Sequence, residues 1–256
     1  SDLTWNIRTN YHNDDLDQPR LTDVIVGNQV FVPESLVIYE YTVNSNGTMS
    51  RVGGPLDLDL FTIQYPTSAN GFTLLIDFPT NNARRFEIEY NTTLDDQLIT
   101  STYTNRAVVN NDGRVHNLDA SVSVTFGNDL VNKSGVQAGS LIRWSISINR
   151  SQSTIRDAVL EDIPSVNQRF VLDSFKLYPT SVAINGSITI DRSNPLVLDE
   201  DYELDIIVLE NGAQRFELRF LDEITRPYIL EYDSEINTTP DNTTITNSVV
   251  LSGNGV

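Results

Sequence analysis

The chain contains an internal repeat, which limits its possible folds more than any other feature of the sequence. Three segments of the first half recur at one offset of about 139 residues: 3–8 as 142–147, 21–25 as 160–164, and 31–39 as 170–178. Two later segments recur at an offset of about 142 residues: 86–90 as 228–232, and 103–109 as 245–251. Five matches in the same order, with one small insertion in the second copy, indicate a tandem duplication.

Both copies carry the pattern of β-structure. Apolar and polar residues alternate at 5–8, 86–90, 121–126 and 144–148, as they do in strands with one buried face. Asn- and Gly-rich turn clusters separate these segments, and no long stretch has the 3.6-residue apolar period of a helix. We therefore predict an all-β chain of two tandem Ig-like antiparallel β-sandwich domains, residues 1–128 and 129–256.

The composition excludes several classes of function. The 256 residues include 35 acidic and 17 basic side chains, and a formal net charge of −18 argues against nucleic acid and anionic membranes as partners. No apolar run approaches the length of a membrane span, so we predict no membrane insertion. The absence of cysteine removes disulfides, thiolate zinc sites and cysteine nucleophiles.

We expect neither enzyme activity nor a cofactor or bound metal. Only two histidines, His12 and His116, are present, and no hydrolase, phosphate-loop or dinucleotide motif occurs. Acidic segments at 13–17 and 199–203 offer oxygen ligands that calcium favours, but they lack the spacing of an EF-hand loop. Solvated surface loops are the simpler interpretation of both segments.

The two copies are out of phase with the ends of the chain. The first copy has a closing strand at 120–126 that the second lacks, and the second has an opening segment at 130–136 that the first lacks. Two interpretations remain open. Either the opening strand of the first domain and the closing strand of the second lie outside this chain, or neighbouring molecules supply edge strands.

Three residues of the second copy stand out together: Lys133 in the opening segment, Asp162 in an early strand and Asn247 in a late strand. Singly, each has an ordinary structural interpretation as an edge lysine, a turn aspartate or an asparagine at a bulge. Lysine is nearly absent elsewhere, however, since Lys176 is the only other one. The first copy repeats the acid and the amide as Asp23 and Asn105, but it has no lysine.

These motifs resemble the collagen-adhesin family of Gram-positive cell-wall proteins, the MSCRAMM-type adhesins with tandem Ig-like domains. The similar features are Lys-Ser-Gly before a Trp-x-Ile-x-Ile strand, Asp before a hydrophobic residue, and a late Thr-Asn-x-hydrophobic strand. The resemblance implies that Lys133 and Asn247 join in an isopeptide bond with the assistance of Asp162. Burial would favour the neutral amine of the lysine and the neutral acid of the aspartate, which that single-turnover reaction requires. Asn105 would stay unlinked within this chain.

The resemblance also implies the function. We expect an extracellular region of a surface protein, cell-wall anchored in its full-length form, that binds a host matrix protein or a glycan or presents a binding domain on a stalk. Neighbouring repeats of the same polypeptide or filament are further expected partners. One alternative is a purely structural stalk or filament subunit completed by strand exchange. Another is a glycan- or protein-binding module with a site on its loops.

Overall fold

The chain is built from β-strands throughout. The computed structural model describes residues 1–81, 83–239 and 242–256. Within those residues three short 3₁₀ turns accompany the strands, and no α-helix and no helix that could span a bilayer is present. The predicted all-β fold of two tandem antiparallel β-sandwich domains is confirmed.

Two compact units divide the chain. The first contains Ser1–Asp95 and Thr102–Ser123, and the second contains Asp96–Ser101 and Val124–Val256. The main division, between Ser123 and Val124, lies a few residues before the boundary predicted after residue 128. The alternating strand predicted at 121–126 ends at Ser123, because residues 124–127 turn and Phe126 adopts a left-handed conformation (φ 65°).

The first unit has nine described strands in two antiparallel sheets. They are β1 (Asp2–Arg8), β2 (Pro19–Val24), β3 (Val30–Val43), β4 (Met49–Arg51), β5 (Thr62–Gln64), β6 (Thr73–Asp77), β7 (Phe86–Thr93), β8 (Thr102–Asn111) and β9 (Arg114–Ser123). One sheet has the order β1-β7-β3-β4, and the other has the order β5-β6-β2-β8-β9.

The second unit repeats this plan with ten described strands. They are β10 (Val131–Ala138), β11 (Leu141–Ile148), β12 (Val159–Pro164), β13 (Gln168–Phe170), β14 (Lys176–Val182), β15 (Ile188–Ile190), β16 (Tyr202–Val208), β17 (Gln214–Phe220), β18 (Tyr228–Ile236) and β19 (Asn247–Ser252). One sheet runs β10-β11-β18-β14-β15, with β13 also paired to β18, and the other runs β16-β17-β12-β19.

Each core is formed by the inward positions of the alternating strands. In the second unit Ile146, Leu160, Phe216 and Leu230 come from both sheets and are fully buried in one cluster. Burying such side chains contributes roughly 1.5–3 kcal/mol each, so the period-two pattern largely determines which face of a strand points inward.

The two units share the register of their central strand pairs but differ at the edges of their sheets. Trp5 pairs with Tyr90 in the first unit as Trp144 pairs with Tyr232 in the second. In the second unit β10 pairs with the outer edge of β11. Among the described residues no strand pairs with the outer edge of β1, which is the counterpart of β11.

Candidate cross-linking site

The three residues singled out in the second copy lie together inside the second unit. Asp162 faces inward because it follows Leu160 by two positions on β12, and alternation gives both side chains the same face. Asn247 begins β19, which pairs with β12, so it lies on the same sheet as Asp162. Lys133 lies on β10, at the edge of the opposite sheet. The cluster therefore spans both sheets of the sandwich.

A fourth residue, Tyr232 of β18, connects the other three. Its hydroxyl donates a hydrogen bond to Asp162 Oδ2 at 2.9 Å and lies 2.8 Å from the donating Asn247 Nδ2. The Lys133 ammonium donates to the Tyr232 hydroxyl at 2.7 Å and forms an ion pair with Asp162. The amine and the amide thus meet at one phenol oxygen.

The cluster is strongly desolvated. Asp162 is fully buried, Tyr232 is 2% exposed, and the Lys133 side chain is 7% exposed. Three phenylalanine rings enclose the phenol, and Phe175 stacks on it with ring centroids 4.9 Å apart. Charges in such an apolar environment are costly unless they are neutralised or paired.

Burial shifts both ionisable partners toward their neutral forms. It lowers the pKa of Lys133 to about 8, against the opposing attraction of Asp162. Burial also raises the pKa of Asp162, although Lys133, Tyr232 and Asn247 oppose that change. Transfer of one proton from the ammonium to the carboxylate converts the ion pair into a neutral amine and a neutral acid, which is the nucleophilic form of the pair.

Two oxygen atoms of the cluster are buried without a hydrogen-bond partner among the described residues. They are Asp162 Oδ1 and the amide oxygen of Asn247. A buried acceptor without a partner costs roughly 1–3 kcal/mol. A proton on Asp162 would turn that carboxyl into a hydrogen-bond donor, and a donor of this kind polarises a carbonyl to which it bonds.

The glycine of the Lys-Ser-Gly segment packs against the tryptophan of the next strand. Gly135 pairs directly with Trp144, and a Cβ atom at Gly135 would lie 2.6 Å from the indole ring. The ring also lies beside the lysine, with the Lys133 Nζ atom 4.8 Å from its centroid. Glycine therefore allows the indole to cover β10 close to the amine.

The first unit contains the same group without the lysine. Tyr90 donates to Asp23 Oδ2 at 2.6 Å, and Asn105 Nδ2 donates to that oxygen at 2.9 Å and to the Tyr90 hydroxyl at 2.7 Å. Burial raises the pKa of Asp23, whose Oδ1 lacks a described partner.

Tyr90 and Tyr232 were not predicted from the sequence as members of the site. A signal was present, because Tyr90 and Tyr232 end one of the repeated blocks and share its offset with Asn105 and Asn247. Tyrosine is common in sandwich cores, however, so only the contact between the sheets distinguishes these two.

The other polar features considered from the sequence lie apart from this site. The carboxylates of the two acidic segments are exposed. Across residues 1–81, 83–239 and 242–256, no three histidine, aspartate or glutamate side chains are grouped so that they could hold a metal ion.

Solved structures of bacterial surface proteins show limited similarity to this chain. The C-terminal domain of the Streptococcus pyogenes antigen I/II-family protein AspA is 11% identical, with 100% of this chain and 89% of that chain covered and a TM-score of 0.39. The Enterococcus faecalis MSCRAMM ACE, described as binding its ligands by the collagen hug model, is 14% identical. That comparison covers 93% of this chain and 89% of that chain, with a TM-score of 0.33. The collagen-binding domain of a Staphylococcus aureus adhesin is 13% identical, with 53% of this chain and 91% of that chain covered and a TM-score of 0.32.

The sequence itself matches a family model twice. No curated protein matches the chain. The model of the collagen binding domain, however, matches residues 1–119 and again residues 128–256, which together include nearly every residue. The two matches coincide with the two copies of the repeat, and the chain therefore belongs to the collagen-binding domain family.

Proposed function

We propose that the chain is the binding or presenting region of an extracellular surface adhesin, and that its second domain is clamped by a self-formed bond between Lys133 and Asn247. The observation that carries the proposal is the buried cluster in which Lys133, Asp162, Tyr232 and Asn247 meet between the sheets. Family membership supports the adhesin role.

The proposed reaction needs no external reagent. The neutral amine of Lys133 attacks the side-chain carbonyl carbon of Asn247, while the protonated Asp162 stabilises the developing oxyanion. The attacking nitrogen gives up one proton, the C–N bond to the amide nitrogen breaks, and that nitrogen takes up one proton and leaves as ammonia. The product is an amide bond between β10 and β19. Because the protein is consumed in its own reaction, there is no turnover and no enzyme activity.

Intact-mass spectrometry of the denatured chain tests the clamp. We expect a mass about 17 Da below the sequence mass, because one ammonia is lost. Trypsin should no longer cleave after Lys133, and fragmentation should locate a branched peptide that contains Asn247. This second measurement is needed because succinimide formation at an Asn-Gly pair, such as Asn46-Gly47, also loses ammonia.

Four substitutions test which residues the loss of ammonia requires. Lys133→Arg, Asn247→Ala and Asp162→Ala should each show their full sequence mass, whereas Lys176→Arg should retain the deficit because Lys176 lies outside the cluster. A full mass in the unmodified chain, or a deficit that persists in Lys133→Arg, would contradict the clamp.

The adhesin role is tested separately by binding to an array of fibrillar collagens, other matrix proteins and glycans. The family description makes triple-helical collagen the first ligand to examine. We expect saturable binding to a matrix protein that unlabelled chain competes away. Binding confined to glycans would favour a module with a site on its loops. Absence of binding to every component would contradict a binding role for this region and would favour presentation on a stalk or a filament subunit.

A further inference from the structure

The proposed bond between Lys133 and Asn247 requires that a proton move from one nitrogen atom to another. The Lys133 nitrogen must give up a proton once it has bonded to the carbonyl carbon, and the Asn247 nitrogen must take one up before it can leave. The protonated Asp162 is engaged with the oxyanion during this step. A further group is therefore needed to carry the proton.

Solvent has little access to the reacting groups. The Lys133 side chain is 7% exposed, and the amide oxygen of Asn247 is buried. Three phenylalanine rings enclose the adjoining phenol of Tyr232, which is 2% exposed. Because an unpaired charge in such surroundings is costly, a proton released here is best passed directly to a neighbouring side chain.

The hydroxyl of Tyr232 lies between the two nitrogen atoms. Its oxygen is 2.7 Å from Lys133 Nζ and 2.8 Å from Asn247 Nδ2, and both nitrogen atoms donate hydrogen bonds to it. A group that transfers a proton must lie within this hydrogen-bonding distance of the atoms that it serves. The phenol meets that requirement at both ends of the transfer, and its own proton is directed at Asp162 Oδ2.

The surroundings keep this phenol neutral and fixed in place. Burial, together with the charge of Asp162, raises the pKa of Tyr232 well above its ordinary value. A neutral phenol can accept and donate a proton, so it can take one from a nitrogen atom while it gives its own to another. No buried phenolate has to form. The Phe175 ring stacks on the phenol with centroids 4.9 Å apart, which holds the hydroxyl between its partners.

We propose that the Tyr232 hydroxyl is a catalytic group of this single-turnover reaction and relays a proton from the Lys133 nitrogen to the Asn247 nitrogen. After the attack, the Lys133 nitrogen carries two hydrogens and a positive charge, and one of these protons passes to the phenol oxygen. The phenol proton passes to the amide nitrogen, whose lone pair is free in the tetrahedral intermediate. The carbonyl then re-forms, the C–N bond breaks with its electron pair on the leaving nitrogen, and ammonia departs. The phenol is restored. This inference rests on the proposed clamp.

The rate of bond formation in the full chain tests the relay. The chain is made by cell-free translation, translation is stopped, and samples are quenched in acid at intervals. Intact mass then gives the fraction that has lost about 17 Da. Tyr232→Phe removes the hydroxyl but keeps the ring among the phenylalanines. We expect it to slow bond formation by about 10²–10⁴-fold, which is the usual contribution of general acid–base catalysis. A smaller effect in a folded chain would overturn the inference.

The dependence of the rate on pH distinguishes proton transfer from positioning. In the unmodified chain the rate should level off above the pKa of Lys133, about 8, because the amine is then neutral. With Tyr232→Phe the rate should continue to rise with pH, since hydroxide must then remove the proton. A rate lowered by the same factor at every pH would mean that Tyr232 only positions its neighbours, and the relay would be wrong.

Tyr90→Phe is the matched control, because it removes the equivalent hydroxyl from the first unit and should leave the rate unchanged. Trp144 emission, with Trp5→Phe in the background, verifies that the second unit is folded. If Tyr232→Phe does not fold, Tyr232→4-aminophenylalanine takes its place. Its amino group can donate to Asp162 but is a poor proton acceptor, so bond formation at the unmodified rate would again overturn the relay. A full mass in the unmodified chain would contradict the clamp itself, whereas rapid bond formation in these variants would contradict the relay alone.

Discussion

The side chains of the site derive their chemistry from their position on one face of a strand. Asp162 is a carboxyl at an inward position, where alternation normally places an apolar residue, and it is fully buried there. Glu161, its neighbour, points outward and forms an ion pair with Arg215. One step along the strand thus distinguishes an ordinary surface carboxylate from an acid whose pKa burial raises.

Gly135 provides a test of packing at this scale. The change Gly135→Ala would place a Cβ atom 2.6 Å from the Trp144 ring, so the indole or β10 must move. We expect the unfolding free energy of the second unit to fall by about 1–3 kcal/mol, the usual cost of overpacking. The measurement is urea unfolding followed by Trp144 emission, with Asn247→Ala and Trp5→Phe in the background to remove the cross-link and the second reporter.

Gly54→Ala is the matched control, because a Cβ atom at Gly54 would meet nothing within 4 Å. It should change the unfolding free energy by less than about 0.5 kcal/mol, as is usual for surface sites. An equally small effect of Gly135→Ala would contradict the close fit between the glycine and the indole.

Among the strands, β10 accounts for the main difference between the two units. It pairs with β11 along its whole length and carries the lysine, whereas the outer edge of β1 has no described partner. Edge strands expose hydrogen-bonding groups that can accept another strand. Among the described residues, the same sandwich plan therefore has a cluster with a lysine in the second unit and a buried cluster without a lysine in the first.

At the scale of the whole chain, the proposed bond would stabilise the second unit by restricting its unfolded state. Residues 133 and 247 enclose a loop of about 114 residues, and closing a loop of about 100 residues restricts the unfolded chain by about 4.7 kcal/mol in the loop-entropy model. We expect Asn247→Ala to lower the unfolding free energy of the second unit by about 4–5 kcal/mol beyond the loss of the amide's hydrogen bonds, measured by urea unfolding with Trp144 as the reporter.

The internal repeat supplies the matched control for this prediction. Asn105→Ala removes the same amide from the equivalent strand of the first unit, where this chain offers no lysine. With Trp5 as the reporter, its effect should be limited to the loss of hydrogen bonds, about 1–3 kcal/mol. Equal losses for the two variants would argue against a covalent bond in the second unit.

The sequence alone was sufficient to predict the architecture. Period-two alternation, Asn-Gly turns and the duplication led to two antiparallel β-sandwiches, because the burial of alternate side chains is a local property of each strand. The resemblance to collagen adhesins pointed to Lys133, Asp162 and Asn247, and the repeat offset supported the choice of Asp162 and Asn247 through their counterparts Asp23 and Asn105. The scarcity of lysine supported the choice of Lys133.

Only the tertiary structure brought these side chains into one site. Tyr232 comes from the opposite sheet to Asp162 and Asn247, and no local pattern distinguishes a phenol between two sheets from an ordinary core tyrosine. Likewise, the repeat showed that Asn105 corresponds to Asn247, but not that Asn105 and Tyr90 of the opposite sheet share a buried hydrogen bond. Contacts between sheets depend on how distant strands pack, whereas alternation depends only on neighbours along the chain.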